Sequence, residues 1–284
     1  MRDGGSNSSG RAKNSSTIIS PSSLAPTRSG RAALSKRSLG SPSRRGGYLL
    51  RSTLMCGRYT QTLAGPILLS RFRFGETALD LNPRYNIAPG QEAPVVVYEA
   101  AKAPAMMRWG LVPSWAKDPA IGNKMINARA ETITEKPSFK RLIERRRCLV
   151  LADGFYEWRK EERRKVPVRF VLKDREPFAF AGLWDRWRNP DGAEMRTFTI
   201  ITTAANELMR PVHDRMPVIL AREAEEPWLD AGSGNTAAIL SSSLKPYPAE
   251  LLEAYDVTTL VNSPKNDRPE CIAEVVYPPS WTRR

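Results

Sequence analysis

The chain has a single histidine, His213, and only three cysteines, Cys56, Cys148 and Cys271, in 284 residues. One histidine is too few for a His-rich metal centre. Cysteines this far apart, with no CxxC pair, offer neither a zinc site nor a disulfide framework, and their scarcity fits a reducing compartment. No apolar run reaches the ~18 residues of a membrane-spanning helix. There is no glycine-rich phosphate loop, no strict strand–helix alternation and no internal repeat, so a doubly wound nucleotide-binding fold is not expected. These absences predict no metal, no organic cofactor and no membrane partner.

Acidic residues are also under-represented: 44 Lys and Arg face 30 Asp and Glu, a net charge of +14. Residues 1–54 hold ten of the cations and one acid, Asp3, so the remaining 230 residues carry only +5. The body is therefore mildly basic, which is compatible with nucleic-acid binding without establishing it. Residues 1–54 also contain 14 serines and few large apolar side chains, too little to offset chain entropy by burial, so disorder is expected there. This stretch reads in three ways: sequence upstream of a true start at Met55, an Arg/Ser-rich targeting peptide, or a basic arm that adds phosphate contacts. The first is preferred, which places the protein in the cytoplasm, associated with the nucleoid, rather than in an organelle.

The body reads as many short strands with a few helices. Strands are expected over 56–61, 93–98, 104–109, 148–152, 155–158, 168–172, 178–183, 197–202, 216–220 and 257–261, with a short extended stretch at 125–130. Helices are expected over 66–74, 137–147, 206–210, 223–229 and 236–242. Residues 84–90 and 113–123 read as loops, and 159–165 as a hairpin tip. The sum is an α+β single domain over 55–277, with a curled, barrel-like, mainly antiparallel sheet, peripheral short helices and a C-terminal tail, 278–284.

Four blocks interrupt apolar stretches with polar residues: Cys56-Gly57-Arg58, Asn127-Ala128-Arg129, Glu157 between Tyr156 and Trp158, and His213-Asp214-Arg215. Each also has a plain structural reading. Cys56 is either a small buried hydrophobe or, if Met55 is trimmed, a terminal aminothiol that captures aldehydes as a thiazolidine. Arg58 would share a strand face with Cys56 and favour its thiolate. Glu157 is either solvent-exposed or an inward carboxyl raised towards neutrality and able to act as acid and base. His213 is either a satisfied structural histidine or a loop-end catalyst. Asn127 is either a turn cap or a site residue, and Arg129 is either a surface charge or a ligand. Trp115 is either an anchor or a stacking platform for a base.

Seven segments in order resemble the SRAP family of abasic site processing proteins. They are residues 55–60 (MCGRYT), 84–90 (RYNIAPG), 109–118 (WGLVPSWAKD), 126–131 (INARAE), 137–139 with 147–158 (RCLVLADGFYEW), 213–220 (HDRMPVIL) and 263–272 (SPKNDRPECI). The resemblance implies a monomer that crosslinks through an N-terminal cysteine to abasic sites in single-stranded DNA. It also implies self-processing peptidase activity and an available lyase side reaction. By the same resemblance, Cys56 is the covalent residue, with Asn127, Glu157 and His213 around it. Arg58, Arg129 and Arg215 hold phosphates, and Trp115 meets unstacked bases. The departure is the 54-residue extension: while it is attached, the Cys56 nitrogen is an amide and cannot form an imine. Two rivals remain at this point: a cysteine peptidase acting on other proteins, and a non-covalent single-strand binding module.

Overall fold

The computed structural model describes residues 56–73, 81–98, 104–162, 164–232 and 234–275. The expectations for 1–54 and 278–284 lie outside these residues.

Among the described residues, twelve strands and four α-helices follow in chain order. They are β1 (Tyr59–Gln61), α1 (Gly65–Phe72), β2 (Arg84–Ile87), β3 (Glu92–Val97), β4 (Pro104–Trp109), β5 (Asn127–Arg129), α2 (Pro137–Arg145), β6 (Arg147–Ala152), β7 (Gly154–Glu161), β8 (Arg164–Leu172), β9 (Phe178–Arg188), β10 (Glu194–Ala204), β11 (Arg215–Pro217), α3 (Arg222–Leu229), α4 (Thr236–Ser243) and β12 (Leu252–Asp256). One sheet runs β12-β8-β7-β1-β2. In the other, β10-β4-β3-β6-β9 closes into a ring because β9 also pairs β10. Every strand pair is antiparallel except β10 with β4 and with β5. The α+β, barrel-like expectation holds.

The apolar alternation explains how the layers stack. Val95, Val97, Cys148, Val150, Phe178 and Phe180 join one core with Tyr59, Phe155 and Phe170 of the first sheet. Their alternate neighbours Val96, Leu149, Leu151, Ala179 and Ala181 join a second core with Phe139 and Ile143 of α2 and Trp228 of α3. Because both faces are covered, β6 after Arg147 is a continuous apolar run, Cys148 to Ala152, rather than an alternating one. β9 leaves β10 at the Ile200–Gly182 pair, and β11 takes its place from Thr202 onward. A Cβ at Gly182 would stand 2.8 Å from Cys148 Sγ and 2.9 Å from Val150 Cγ2, so a side chain there cannot fit without displacing the core.

Several expectations need correction. Residues 84–87 form a strand rather than a loop: Ile87 and Arg84 pair with Tyr59 and Gln61, and Asp267 accepts the backbone N–H groups of Tyr85 and Asn86 on the other edge. The polar Asn86 is buried because its amide donates to the carbonyls of Val261, Ser263 and Asn266. Residues 206–210 form turns, not a helix. The Asn206 side chain captures the Met209 N–H, and Pro211 prevents continuation. The closing strand is Leu252–Asp256 rather than 257–261. Its acidic residues masked it, and Glu253 and Asp256 are paired with Arg175 and Arg159. A 3₁₀ turn, Thr259–Asn262, follows. The 113–123 stretch likewise ends in a 3₁₀ turn, Pro119–Lys124, capped by the Asp118 carboxylate on Ala120 N. The charged run 159–165 does form the end of a hairpin, between β7 and β8, but the strand pairing extends further into it than expected, from Arg159–Val166 to Glu161–Arg164.

Candidate active site

Antiparallel pairing of β1 with β7 sets Tyr59 opposite Phe155, and Tyr156 N donates to Arg58 O. That register carries the chain back past Glu157, where the Cys56 backbone N–H donates to Glu157 Oε1 at 2.5 Å. Phe155 and Glu157 share a strand face (period two), and Phe155 points into the core, so Glu157 points inward as well. Cys56 is 1 % exposed and Glu157 5 %. Burial pushes the Glu157 carboxyl up to about 7, opposed by the Cys56 and Trp158 N–H groups and reinforced by the charge of Asp214. A carboxyl at that value is both donor and acceptor at neutral pH.

Cys56 has φ 39°, in the left-handed region that disfavours a side chain. Its thiol is pushed well above its ordinary value, first by burial and then by Glu157. This corrects the expectation of a thiolate stabilised by Arg58. The segment before Tyr59 is not strand, and the Arg58 guanidinium turns away to Asn86 Oδ1 (2.9 Å), Val261 O (2.7 Å) and Asn262 O (3.3 Å), beside the Trp158 ring.

β10 organises the basic side of the site. Thr202 pairs with Arg129 of β5 on one edge and with Pro217 of β11 on the other, and Arg215 is set opposite Ala204. Arg129 and Arg215 thus flank one end of β10. Arg129 is exposed and forms no ion pair among the described residues. Arg215 is held by both oxygens of Glu131 (2.9 and 2.8 Å) and by Thr202 O (2.7 Å). Asn127 lies opposite Ile200 in the same ladder, next to Ile126, which packs in the core that holds Cys56.

His213 is mostly buried, and burial lowers its pKa, with Asp214 opposing and Lys160 and Arg215 assisting. Its Nδ1 lies 2.8 Å from Asp214 Oδ1 and 3.1 Å from the Arg215 N–H. One nitrogen cannot donate to the carboxylate and accept from the amide at once. A proton on Nδ1 makes Nε2 a base, and a proton on Nε2 makes it an acid. Among the described residues no hydrogen bond joins His213 to the Cys56 thiol; the link runs through Asp214, whose charge acts on both His213 and Glu157.

Trp115 is 61 % exposed on a pinned loop. Ser114 N donates to Asp185 Oδ2 and Trp187 Nε1 to Ala116 O. Asp185 is level with Thr197 of β10, five residues before Thr202, about 17 Å along the strand at ~3.3 Å per residue. Trp115 therefore stands away from the Arg129–Arg215 end of β10 and marks a separate point on the surface.

Sequence reasoning missed Asn86, Glu131, Lys160 and Lys165. Lys160 and Lys165 stand directly opposite each other on β7 and β8, and both are exposed. Asn86 and Glu131 lie inside two of the seven segments that resemble the SRAP family, 84–90 and 126–131, which was the available signal. Among the described residues no cluster of three His, Cys, Asp or Glu is arranged to hold a metal, and no helix is long and apolar enough to cross a membrane.

A family model described as SOS response associated peptidase (SRAP) matches residues 55–264, which spans Cys56, Glu157 and His213. The chain belongs to the SRAP family. It is 46 % identical over 222 residues to abasic site processing protein YoqW of Bacillus subtilis, covering 77 % of this chain and 99 % of that one. It is 34 % identical over 226 residues to abasic site processing protein HMCES of Xenopus tropicalis, covering 68 % and 67 %. The fold matches a crystal structure of a protein from Bacteroides thetaiotaomicron with a TM-score of 0.70 and 30 % identity, covering 78 % of this chain and all of the other. The SRAP match leaves residues 1–54 outside it.

Proposed function

We propose that this protein processes abasic sites in single-stranded DNA by covalent capture on Cys56, once the residues ahead of Cys56 have been removed. The observation that carries the proposal is the contact between the Cys56 nitrogen and a buried carboxyl poised near pH 7. The relatives named for abasic site processing support the substrate.

An abasic deoxyribose opens to an aldehyde, with His213 moving the proton at the ring oxygen. The α-amine of Cys56 adds to C1′, and Glu157 protonates the departing hydroxyl, so that water leaves and an imine forms. The Cys56 sulfur then adds to the same carbon, its proton passes to nitrogen, and a thiazolidine closes; the sequence loses one water in all. An α-amine near pKa 8 is roughly 10 % neutral at pH 7, against well under 0.1 % for lysine, which favours the terminus as nucleophile. Intramolecular ring closure adds the advantage of enforced proximity. Asn127 orients the terminus. The imine also acidifies C2′, which makes β-elimination, a lyase step, an accessible side reaction.

The φ of Cys56 supports the trimmed form. A residue without a preceding carbonyl has no φ clash, so cleavage of the Met55–Cys56 bond relieves the left-handed strain. The buried, protonated thiol without a histidine partner weighs against a general cysteine peptidase, whose nucleophile needs an adjacent base. Arg58, Arg129 and Arg215 serve the phosphate backbone and Trp115 a splayed base, and the protein acts as a monomer in the cytoplasm.

The test is a denaturing gel with abasic single-stranded DNA and the wild type, Cys56→Ala and Cys56→Ser. A denaturant-stable shifted band with wild type alone supports the reading. An equal band with Cys56→Ala refutes it.

A further inference from the structure

Arg215 is not free to meet DNA. Its Nη1 and Nη2 donate to the two oxygens of Glu131, the parallel fork that guanidinium also makes with a phosphate. The same Nη2 donates to Thr202 O, which fixes the plane of the group, and Nε is buried without a partner. The two partners differ in exposure: the Arg215 side chain is 13 % exposed and that of Glu131 51 %. Arg129, two residues before Glu131, stands exposed and without an ion pair among the described residues beside the same end of β10. A hollow of about 300 Å³ is lined by Glu131 itself, by the hydroxyl-bearing Thr134, Thr203 and Ser241, and by four apolar residues.

We propose that Glu131 is an internal stand-in for a DNA phosphate on Arg215, displaced into the neighbouring hollow when a strand binds. The inference rests on the reading of Arg215 as a phosphate ligand. In the free protein the carboxylate keeps the partly buried guanidinium paired and pre-aimed. An arriving phosphate takes over the fork, and the hydroxyls of Thr134, Thr203 and Ser241 receive the carboxylate. Glu131 therefore weakens binding to any single strand and sets a threshold that a strand placed across both Arg129 and Arg215 can pass.

The test is titration of undamaged oligothymidylate, which has no aldehyde to trap, across a salt series. With Glu131→Gln, binding tightens a few-fold at low salt and the slope of log K against log salt steepens by about 0.7, the share of one single-strand phosphate. In an Arg215→Gln background the same change has no effect, because the two residues act as one unit. Glu131→Asp keeps the charge but shortens the reach, opens the fork and recovers part of the gain. The proposal is overturned if Glu131→Gln matches wild type, if its gain persists without Arg215, or if Glu131→Asp gains nothing while Glu131→Gln does. A wild type that binds no oligothymidylate at any salt overturns the DNA reading itself. A wild type that binds with no change on Glu131→Gln overturns this inference alone.

Discussion

Glu157→Gln removes a carboxyl that burial holds protonated near neutrality, and its effect on stability has a definite sign. In the unfolded chain the group titrates near 4.5, and in the fold at about 7. Below pH 4.5 both states carry the proton and Glu157 adds no pH-dependent penalty. Between pH 4.5 and 7 the unfolded chain releases the proton while the folded protein keeps it, so stability falls as pH rises, and above pH 7 the loss is complete. The difference between the two pKa values is worth about 3 kcal/mol at 1.36 kcal/mol each. Burial is nearly complete, so solvent screening reduces this little. Glutamine does not titrate. The variant should therefore gain about 3 kcal/mol relative to wild type between pH 4.5 and pH 8, read by urea unfolding of the full chain at both values. The same variant should lose crosslinking by roughly 10²-fold or more, since it no longer supplies a proton. A wild-type-to-variant stability difference that is the same at both pH values would refute the placement of a protonated carboxyl at this site.

Trp115→Ala should leave the melting temperature unchanged, because the ring is mostly exposed, yet weaken single-strand binding by ~1–3 kcal/mol in a fluorescence titration. Replacing both Lys160 and Lys165 by Gln should make the salt dependence shallower by about 0.7 for each phosphate that is no longer neutralised; an unchanged slope would place DNA elsewhere. Asn86→Ala should destabilise by about 3 kcal/mol in denaturant unfolding, because it strips donors from the Val261, Ser263 and Asn266 carbonyls and an acceptor from Arg58. A loss under about 1 kcal/mol would show that those carbonyls find other partners.

Local pattern revealed much of this fold. The β3–β4 hairpin, the amphipathic α2 with Phe139, Leu142 and Ile143 inward, and the apolar strand opened by Cys148 were all readable from period and punctuation. Long-range partners were not. Asn86 looks like a loop residue until the carbonyls of 261–266 converge on it, and Glu253 and Asp256 look solvated until Arg175 and Arg159 pair with them. Ring closure through β9 and β10 likewise depends on Gly182 allowing Cys148 and Thr199 to approach, which no local window reveals.

At the site, residue identities were legible but directions were not. Cys56, Glu157 and His213 stood out as polar interruptions, whereas the outward turn of Arg58 and the Arg215–Glu131 fork depend on elements far away in the chain. The position of Cys56 after Met55 in the sequence suggested a terminal aminothiol. The left-handed φ of Cys56 adds a physical reason for that bond to be cut.

Tandem mass spectrometry of the nuclease-trimmed adduct formed with an abasic oligonucleotide tests the central claim most directly. The account expects a deoxyribose remnant joined through both nitrogen and sulfur of Cys56, found only on chains that begin at Cys56. An adduct on a chain that still carries Met55, or on a lysine, would contradict it.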